Sequence, residues 1–212
     1  MVVNKNILLR YLMDFNLKQE FNRKLIHLSS SIYPILYMFI SKELMVSITA
    51  VLFAGILLWD LLRIKGFEFK YLVFLNQFIR AKESKRLIGA TFFLASMLLV
   101  IILFPKDIAI VSIFILILCD TFAALAGKAF GRIKIKSLGK SLEGLLAFNL
   151  VGFIIVSIYL NISYENAGYS LYLLSFLAVF ITGIVELFSN KLKIDDNFSI
   201  TLVSAICLYF FL

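Results

Sequence analysis

The residues between 120 and 147 combine side chains that bind phosphate with side chains that bind a divalent cation. Asp120 and Glu143 stand near the two ends of this stretch, and glycines and cations alternate between them. Glycine lets backbone N–H groups approach phosphate oxygens, Lys and Arg neutralise phosphate charge, and carboxylates hold Mg²⁺. The glycines and cations are Gly127, Lys128, Gly131, Arg132, Lys134, Lys136, Gly139, Lys140 and Gly144. The stretch predicts a nucleoside-triphosphate loop, 120–147.

Two other interpretations of this stretch were weighed. An ordinary basic loop with glycine turns has the same composition. A P-loop, suggested by Gly139-Lys140-Ser141, is rejected because the pattern needs glycine where Lys134 stands and a strand before the loop.

Further ionisable residues gather where apolar runs end. They are His27, Asp60, Arg63, Glu83, Glu143, Glu186, Asp195 and Asp196. Charged residues at helix ends commonly snorkel or cap, and a lone histidine is often structural. Asp120 differs because it directly follows the apolar run Ile113–Cys119. A carboxylate at membrane depth is costly and needs a partner, so we expect a cation beside Asp120.

The elements that position these residues are membrane helices. Of the 212 residues, 62% are hydrophobic and 16% are charged, too apolar for a soluble fold. Runs near the ~20 residues of a span, without the alternation of barrel strands, favour helices. The candidates are Leu25–Ile40, Leu44–Leu62, Leu87–Phe104, Ile108–Ala126, Leu145–Leu160, Tyr169–Phe188 and Phe198–Leu212. We predict an all-α polytopic integral membrane protein with about seven transmembrane helices, in one domain, 1–212.

Basic residues predict the orientation of these helices. Of the 21 lysines and arginines, all but Lys42 and Lys106 fall on the side of the N-terminus. By the positive-inside rule the N-terminal segment, 1–24, and the candidate site face the cytoplasm, at the inner membrane in a bacterium. The net charge of +8 is therefore a topology signal, and its dispersal along loops argues against nucleic-acid binding.

The segment Gly66–Arg86 predicts one interfacial amphipathic helix. Phe67, Tyr71, Phe74 and Phe78 recur on one helical face, and the apolar part is too short to span. A loop with aromatic anchors is the alternative.

The stretch from Asp120 resembles the CTP-binding motif of the polyprenol kinase family, which includes dolichol kinase, phytol kinase and the CTP-dependent diacylglycerol kinase. That motif reads D-x-x-A-x-x-x-G-x-x-x-G-x-x-K, then K-[KST]-x-E-G-x-x-A. The matching residues are Asp120, Ala123, Gly127, Gly131, Lys134, Lys140, Ser141, Glu143, Gly144 and Ala147.

Shorter pieces of the chain are similar to the same family, in the same order. They are Arg23-Lys24 with His27, Trp59-Asp60 with Arg63, Glu83 with Gly89-Ala90-Thr91, and Glu186 with Asp196-Asn197. Ile88 stands where the family usually has threonine. The resemblance extends over roughly residues 20–200.

The resemblance implies transfer of the γ-phosphate of CTP to the hydroxyl of a membrane lipid alcohol. It implies Mg²⁺ at Asp120, Glu143 and Asp196. Arg23, Lys24, Gly127, Lys128, Gly131, Arg132, Lys134, Lys140, Ser141 and Gly144 would bind the nucleotide. The base that accepts the alcohol proton is left open among His27, Asp60 and Glu186, and Asp120 is the residue expected to be essential. Arg63, Glu83 and Asn197 are supporting residues.

Two rival functions were considered. Phosphatidate cytidylyltransferases carry a similar glycine-rich stretch, but Leu138–Leu142 lacks their proline and threonine, and their distal acidic motif has no counterpart here. A small transporter would place polar residues near the bilayer midplane, whereas here they gather towards one surface. The sequence does not select the lipid alcohol or predict an oligomeric state.

Overall fold

The computed structural model describes residues 22–67, 79, 83–135, 138–192 and 194–212, without the side chains at 190 and 192. Apart from one small hairpin, the regular structure of this part of the chain is helical. The helices are α1 (22–29), α2 (Ile32–Phe39), α3 (Lys42–Ile64), α4 (Gly89–Leu103), α5 (Lys106–Phe114), α6 (Asp120–Ala129), α7 (Leu142–Ser163), α8 (Tyr169–Leu192) and α9 (Asp196–Phe211). Most of the predicted amphipathic helix lies outside the described residues.

Four stretches of helix are long and apolar enough to cross a membrane: Lys42–Ile64, Lys106–Ala129, Leu142–Ser163 and Tyr169–Ser189. Two shorter apolar helices, α4 and α9, accompany them. Large apolar side chains such as Val51 and Ile162 are more than two-thirds exposed, as expected of surfaces that face lipid. The chain is an all-α integral membrane protein.

The predicted span Leu25–Ile40 is broken into α1 and α2 at Ser30 and Ser31. Pro34 explains the break, because proline has no N–H to donate and its ring clashes with the carbonyl four residues earlier. The backbone N–H groups of Ser30 and Ser31 instead donate hydrogen bonds to carbonyls near the end of α1. Hydropathy cannot register such a break, since both halves are apolar.

The helix Lys106–Ala129 lies at the centre of the bundle. Of its most apolar 18 residues, 67% are buried. Helix α3 packs on α4, α4 on α9, α9 on α8, α8 on α7, and α7 on α6. Within the central helix, Ile115–Cys119 adopts a π-helical turn between α5 and α6. Such a turn accommodates an additional residue within the helix, and such turns are frequent at functional sites. The next residue is Asp120.

Two short strands stand in the predicted nucleotide loop. Strand β1 (Lys134–Ile135) pairs antiparallel with β2 (Lys140–Ser141), with Lys134 opposite Ser141. Gly139 has a φ of 69°, a left-handed conformation that favours glycine in the turn. The hairpin leads directly into α7.

Candidate active site

A buried ion pair joins α1 to the central helix. The Nζ of Lys24 donates hydrogen bonds to the carboxylate of Asp120 and, at 3.2 Å, to its backbone carbonyl. Both side chains are less than a tenth exposed. The cation expected beside Asp120 is therefore Lys24, 96 residues away in the chain. Burying both charges is expensive, so a buried ion pair of this kind is weak evidence for stability.

His27 lies on the same face of α1 as Lys24, one turn later. Its Nε2 is 3.5 Å from Oδ2 of Asp120, and its ring meets Phe93 edge to face at 5.2 Å. In the described part of the structure this buried nitrogen has no hydrogen-bond partner. A buried imidazole nitrogen beside a carboxylate is well placed to exchange a proton with a third group.

A cavity of about 320 Å³ adjoins this group. Its polar wall consists of Arg23, Lys24, His27, Ser30, Glu83, Gly89, Asp120 and Asn197. Its apolar wall consists of Ile26, Ile56, Trp59, Ile79, Ile88, Ala90 and Phe93. The cavity therefore joins ionisable groups to a surface suited to a hydrocarbon.

Asp60 does not line this cavity. It is fully buried, and its Oδ1 accepts from Nε and Nη2 of Arg63 at 3.0 and 2.6 Å. Its Oδ2 accepts from the backbone N–H of Ile88 and the hydroxyl of Thr91, both at 2.8 Å. Asp60 thus fixes the start of α4, which carries part of the cavity wall. Action as a base would first require releasing these donors.

Arg63 also connects the end of α3 to the segment before α4. Its guanidinium also donates to the backbone carbonyls of Glu83, Ser84 and Arg86. Arginine can hold a carboxylate and several carbonyls together because its five donors lie in a fixed planar fork. The segment before α4 is therefore tied to the end of α3.

The starts of α4 and α9 meet at the cavity. The side-chain amide of Asn197 donates to the carbonyl of Gly89 at 3.2 Å, and Asp195 accepts from the backbone N–H of Asn197. A Cβ added at Gly89 would lie 3.2 Å from that amide nitrogen and 3.8 Å from Oε1 of Glu83. A larger residue at this position would therefore press on the amide of Asn197.

A second ion pair ties the hairpin to the end of α8. The Nζ of Lys140 donates to Oε1 and the backbone carbonyl of Glu186, both at 2.5 Å, and to the hydroxyl of Ser189 at 3.2 Å. Glu186 lies within electrostatic range of Asp120 and Asp196. The hairpin group and the cavity group therefore belong to one charged region.

Glu143 and Ser141 organise the chain around the hairpin. Oε1 of Glu143 accepts from the backbone N–H groups of Arg132 and Ile133 at 2.9 and 3.0 Å. Its Oε2 is buried and, among the described residues, has no partner. Ser141 caps α7 by accepting from the N–H of Gly144 at 3.2 Å.

The glycines of the motif have a packing reason that the sequence did not reveal. A Cβ at Gly131 would lie 2.1 Å from the carbonyl oxygen of Gly127, and one at Gly144 would lie 2.9 Å from that of Ala123. Gly131 lets the chain pass close to the last turn of α6, and Gly144 lets the start of α7 approach α6. Lys128, Arg132 and Lys134 are exposed around them, so phosphate binding by this loop stays a prediction.

The predicted residues form two groups. The cavity group contains Arg23, Lys24, His27, Glu83, Asp120 and Asn197, and the hairpin group contains Gly127, Gly131, Arg132, Lys134, Lys140, Ser141, Glu143, Gly144 and Glu186. Across the described residues, no three His, Cys, Asp or Glu side chains lie close enough to hold a metal ion. A magnesium site at Asp120, Glu143 and Asp196 therefore stays a prediction.

Sequence reasoning assigned no role to three side chains of the site, of which it named only Thr91, as part of the family resemblance. Phe93 supports His27, Thr91 holds Asp60, and Ser189 shares Lys140 with Glu186. Ser189 follows Glu186 by three residues on one helical face, which is a usable signal. Phe93 had no such signal, because it resembles any other apolar residue of its span.

Comparison with known proteins shows which family the chain belongs to. It is 30% identical to the CTP-dependent diacylglycerol kinase 1 of Eremothecium gossypii over 220 residues, covering 92% of this chain and 68% of that protein. The chain belongs to the CTP-dependent diacylglycerol kinase family. The protein of that name in Saccharomyces cerevisiae is 28% identical over 91% of this chain and 73% of its own length.

An uncharacterised protein of Rickettsia prowazekii is also similar, at 32% identity over 89% of this chain and 92% of its own length. No family model and no solved structure matches the chain. The kinase-family alignment covers 92% of the chain, so it takes in most of the segment that carries both groups of site residues.

Proposed function

We propose that this protein is a CTP-dependent lipid kinase that transfers the γ-phosphate of CTP to the hydroxyl of a membrane lipid. Membership of the diacylglycerol kinase family supports the reaction class. The single observation that carries the proposal is the Lys24–Asp120–His27 group, which forms the polar end of a cavity with an apolar wall. Diacylglycerol is the first acceptor to test, and phytol, dolichol and other polyprenols are the alternatives.

The nucleotide would bind at the charged region between the two groups, on the face predicted to be cytoplasmic. Lys128, Arg132 and Lys134 are exposed at the hairpin. Lys140, in strand β2 of the hairpin, donates to Glu186 of α8. Phosphoryl transfer depends mainly on positioning and on neutralising phosphate charge, which these cations supply. Arg23 and Lys24 would complete the set from the other side.

The carboxylates of this region fit magnesium, a hard cation that prefers oxygen ligands. Asp120 and Asp196 both lie within electrostatic range of Glu186, and Glu143 offers a buried oxygen without a partner among the described residues. Among the described residues these carboxylates do not converge on one point, so Asp120, Asp196 and Glu143 would hold the ion together with phosphate oxygens of CTP and not by themselves. Bound with CTP, magnesium would neutralise charge on the phosphates.

The transfer forms a bond between the lipid oxygen and the γ-phosphorus and breaks the bond from that phosphorus to the bridging oxygen, so CDP leaves. The hydroxyl proton must pass to a nearby base. We assign it to Nε2 of His27, which is buried beside Asp120 at 3.5 Å and lines the cavity. Asp120 would stabilise the imidazolium that results. Asp60 is a positioning residue in this scheme.

The decisive experiment uses the purified protein in mixed micelles with Mg²⁺ and CTP labelled at the α or the γ phosphate. Acceptors are diacylglycerol, phytol, geranylgeraniol, a long polyprenol and phosphatidic acid. We expect γ label on an alcohol, and at least about 100-fold less when Asp120→Asn replaces the wild type. Asp107→Asn, on the same central helix, is the matched control and should transfer label normally.

Three results would overturn all or part of the proposal. Transfer of α label to phosphatidic acid with release of pyrophosphate would make the protein a cytidylyltransferase. Absence of label on every acceptor, in a protein that is inserted and folded, would remove the lipid kinase assignment. Equal use of ATP would remove the assignment of CTP.

A further inference from the structure

The cavity next to Asp120 has an internal order that matches the order of groups in a lipid. Ile56 precedes Asp60 by one turn of α3, and Phe93 follows Gly89 by one turn of α4. Since α3 ends and α4 begins at the charged region, both residues lie about 6 Å further from it along their helices than Asp60 and Gly89 do. We name the part of the cavity at Ile56 and Phe93 the deep end, and the part at Lys24, His27 and Asp120 the ionisable wall.

The size of the cavity adds a constraint. At about 320 Å³ it is at the lower end of the roughly 300–1,000 Å³ typical of ligand pockets. Such a volume holds the hydroxyl-bearing end of a lipid but not two long chains. The chains of any acceptor must therefore leave the cavity while the hydroxyl stays inside.

Two lining residues of the cavity are exposed at the surface of the helical bundle. Ile26 of α1 is 49% exposed, and Ala90 of α4 is also exposed. Ile56, at the deep end, is half-buried. By contrast, Lys24 and Asp120 of the ionisable wall are less than a tenth exposed.

We propose that the acceptor lipid enters the cavity sideways from the bilayer, with its hydroxyl at His27 and Asp120 and its chains leaving past Ile56 and Phe93. Ile56 is the residue that determines which chains are accepted, because it stands at the deep end where the chains begin. This inference rests on the proposed lipid kinase activity and names the route and the specificity residue of the same site.

The test separates acceptor binding from nucleotide binding. Ile56→Trp fills the deep end, so we expect the KM for diacylglycerol to rise about tenfold or more while the KM for CTP stays unchanged, as for loss of about 1.4 kcal/mol of binding. Leu52→Trp is the matched control, because Leu52 lies one turn away on α3, is 48% exposed and does not line the cavity. It should leave both constants unchanged.

A second variant and a direct readout keep the proposal testable if Ile56→Trp fails to fold. Ala90→Leu narrows the exposed side and should raise the same KM. A diacylglycerol with a photoreactive group near the start of one chain should label peptides containing Ile56 or Phe93. Labelling instead along the apolar groove between α7 and α8, at Leu150 and Phe176, would overturn the proposal.

The two levels of the argument fail differently. If the wild type transfers γ label to a lipid but Ile56→Trp and Ala90→Leu keep the normal acceptor KM, the entry route is wrong and the kinase assignment stands. If the wild type phosphorylates no lipid, the proposed function itself is wrong.

Discussion

The two ends of the helical bundle use lysine in opposite ways. At the end formed by Lys24, Asp120, Lys140 and Glu186, which we name the charged end, lysines pair with carboxylates from distant parts of the chain. At the end formed by Lys42, Lys106, Asp107 and Tyr159, which we name the opposite end, lysines bind the carbonyls that terminate helices. Each lysine there satisfies groups that any helix leaves unpaired.

At the opposite end, the lysine contacts have a simple structural explanation. Lys106 donates to the carbonyls of Met38 and Ile40, at 3.1 and 2.8 Å, where α2 ends. Lys42 donates to the carbonyl of Phe104 at 2.9 Å, where α4 ends. A cation at a helix C-terminus is favourable because it meets the negative end of the helix dipole.

The charged end contains a buried ion pair that also lines a cavity, Lys24–Asp120. A buried ion pair gains little over an apolar pair of the same size, because both charges must be removed from water. From this comparison we expect the charges of the pair to serve chemistry.

The largest expected effect tests that conclusion directly. Asp120→Asn should lower turnover by about 100-fold or more, the scale seen when one charge-stabilising group of an active site is removed. Asp107→Asn, at the opposite end of the same helix, should keep near-normal turnover. Initial rates with saturating CTP and lipid measure both.

The thermal stability of a double variant tests the role of the same pair independently. The double variant Lys24→Met with Asp120→Leu should unfold no more readily than the wild type yet be inactive, since apolar replacement of a buried pair is often neutral or stabilising. Thermal melting in detergent measures this. A large loss of stability in the double variant would mean that the pair is structural.

The next effect concerns the hairpin. Lys140→Met removes three hydrogen bonds that join the hairpin to α8, so we expect the KM for CTP to rise about tenfold, equivalent to about 1.4 kcal/mol. Lys106→Met is the control from the opposite end. It should lower the melting temperature while leaving that KM unchanged, and an equal change in KM would erase the difference between the ends.

The smallest effect is confined to packing. Gly131→Ala would place a Cβ 2.1 Å from the carbonyl of Gly127, and relieving such overpacking typically costs about 1–3 kcal/mol. Gly168→Ala, in the turn before α8 at the opposite end, meets only Ser170 at 3.7 Å and should be nearly neutral. Denaturation midpoints of the two variants test whether the motif glycines serve close helix contact.

Hydropathy predicted the helices well where a span is continuous. Lys42–Ile64 and Leu142–Ser163 extend the predicted Leu44–Leu62 and Leu145–Leu160 by only a few residues at each end. The break before Pro34 was missed because it interrupts hydrogen bonding and not the apolar pattern. The hairpin at Lys134 was missed because two-residue strands leave almost no periodicity to read.

The site was predictable in its residue types more than in its contacts. Asp120 stood out because a carboxylate after an apolar run needs a cation, but nothing local names Lys24, 96 residues away, as that cation. Asp60 carried the same signal, and only its four donors distinguish a positioning residue from a candidate base. Such contacts depend on how distant helices pack, and local sequence patterns do not reveal that.

The π-helical turn Ile115–Cys119 gives the central helix one residue to spare. A chain one residue shorter in this turn could close it into ordinary α-helix, and Asp120 would keep nearly its present direction because the wide turn already takes up the extra residue. The same deletion in a regular part of the helix would rotate every later side chain by about 100° about the helix axis. We therefore expect the loss of one codon to be better tolerated in this turn than elsewhere along the central helix.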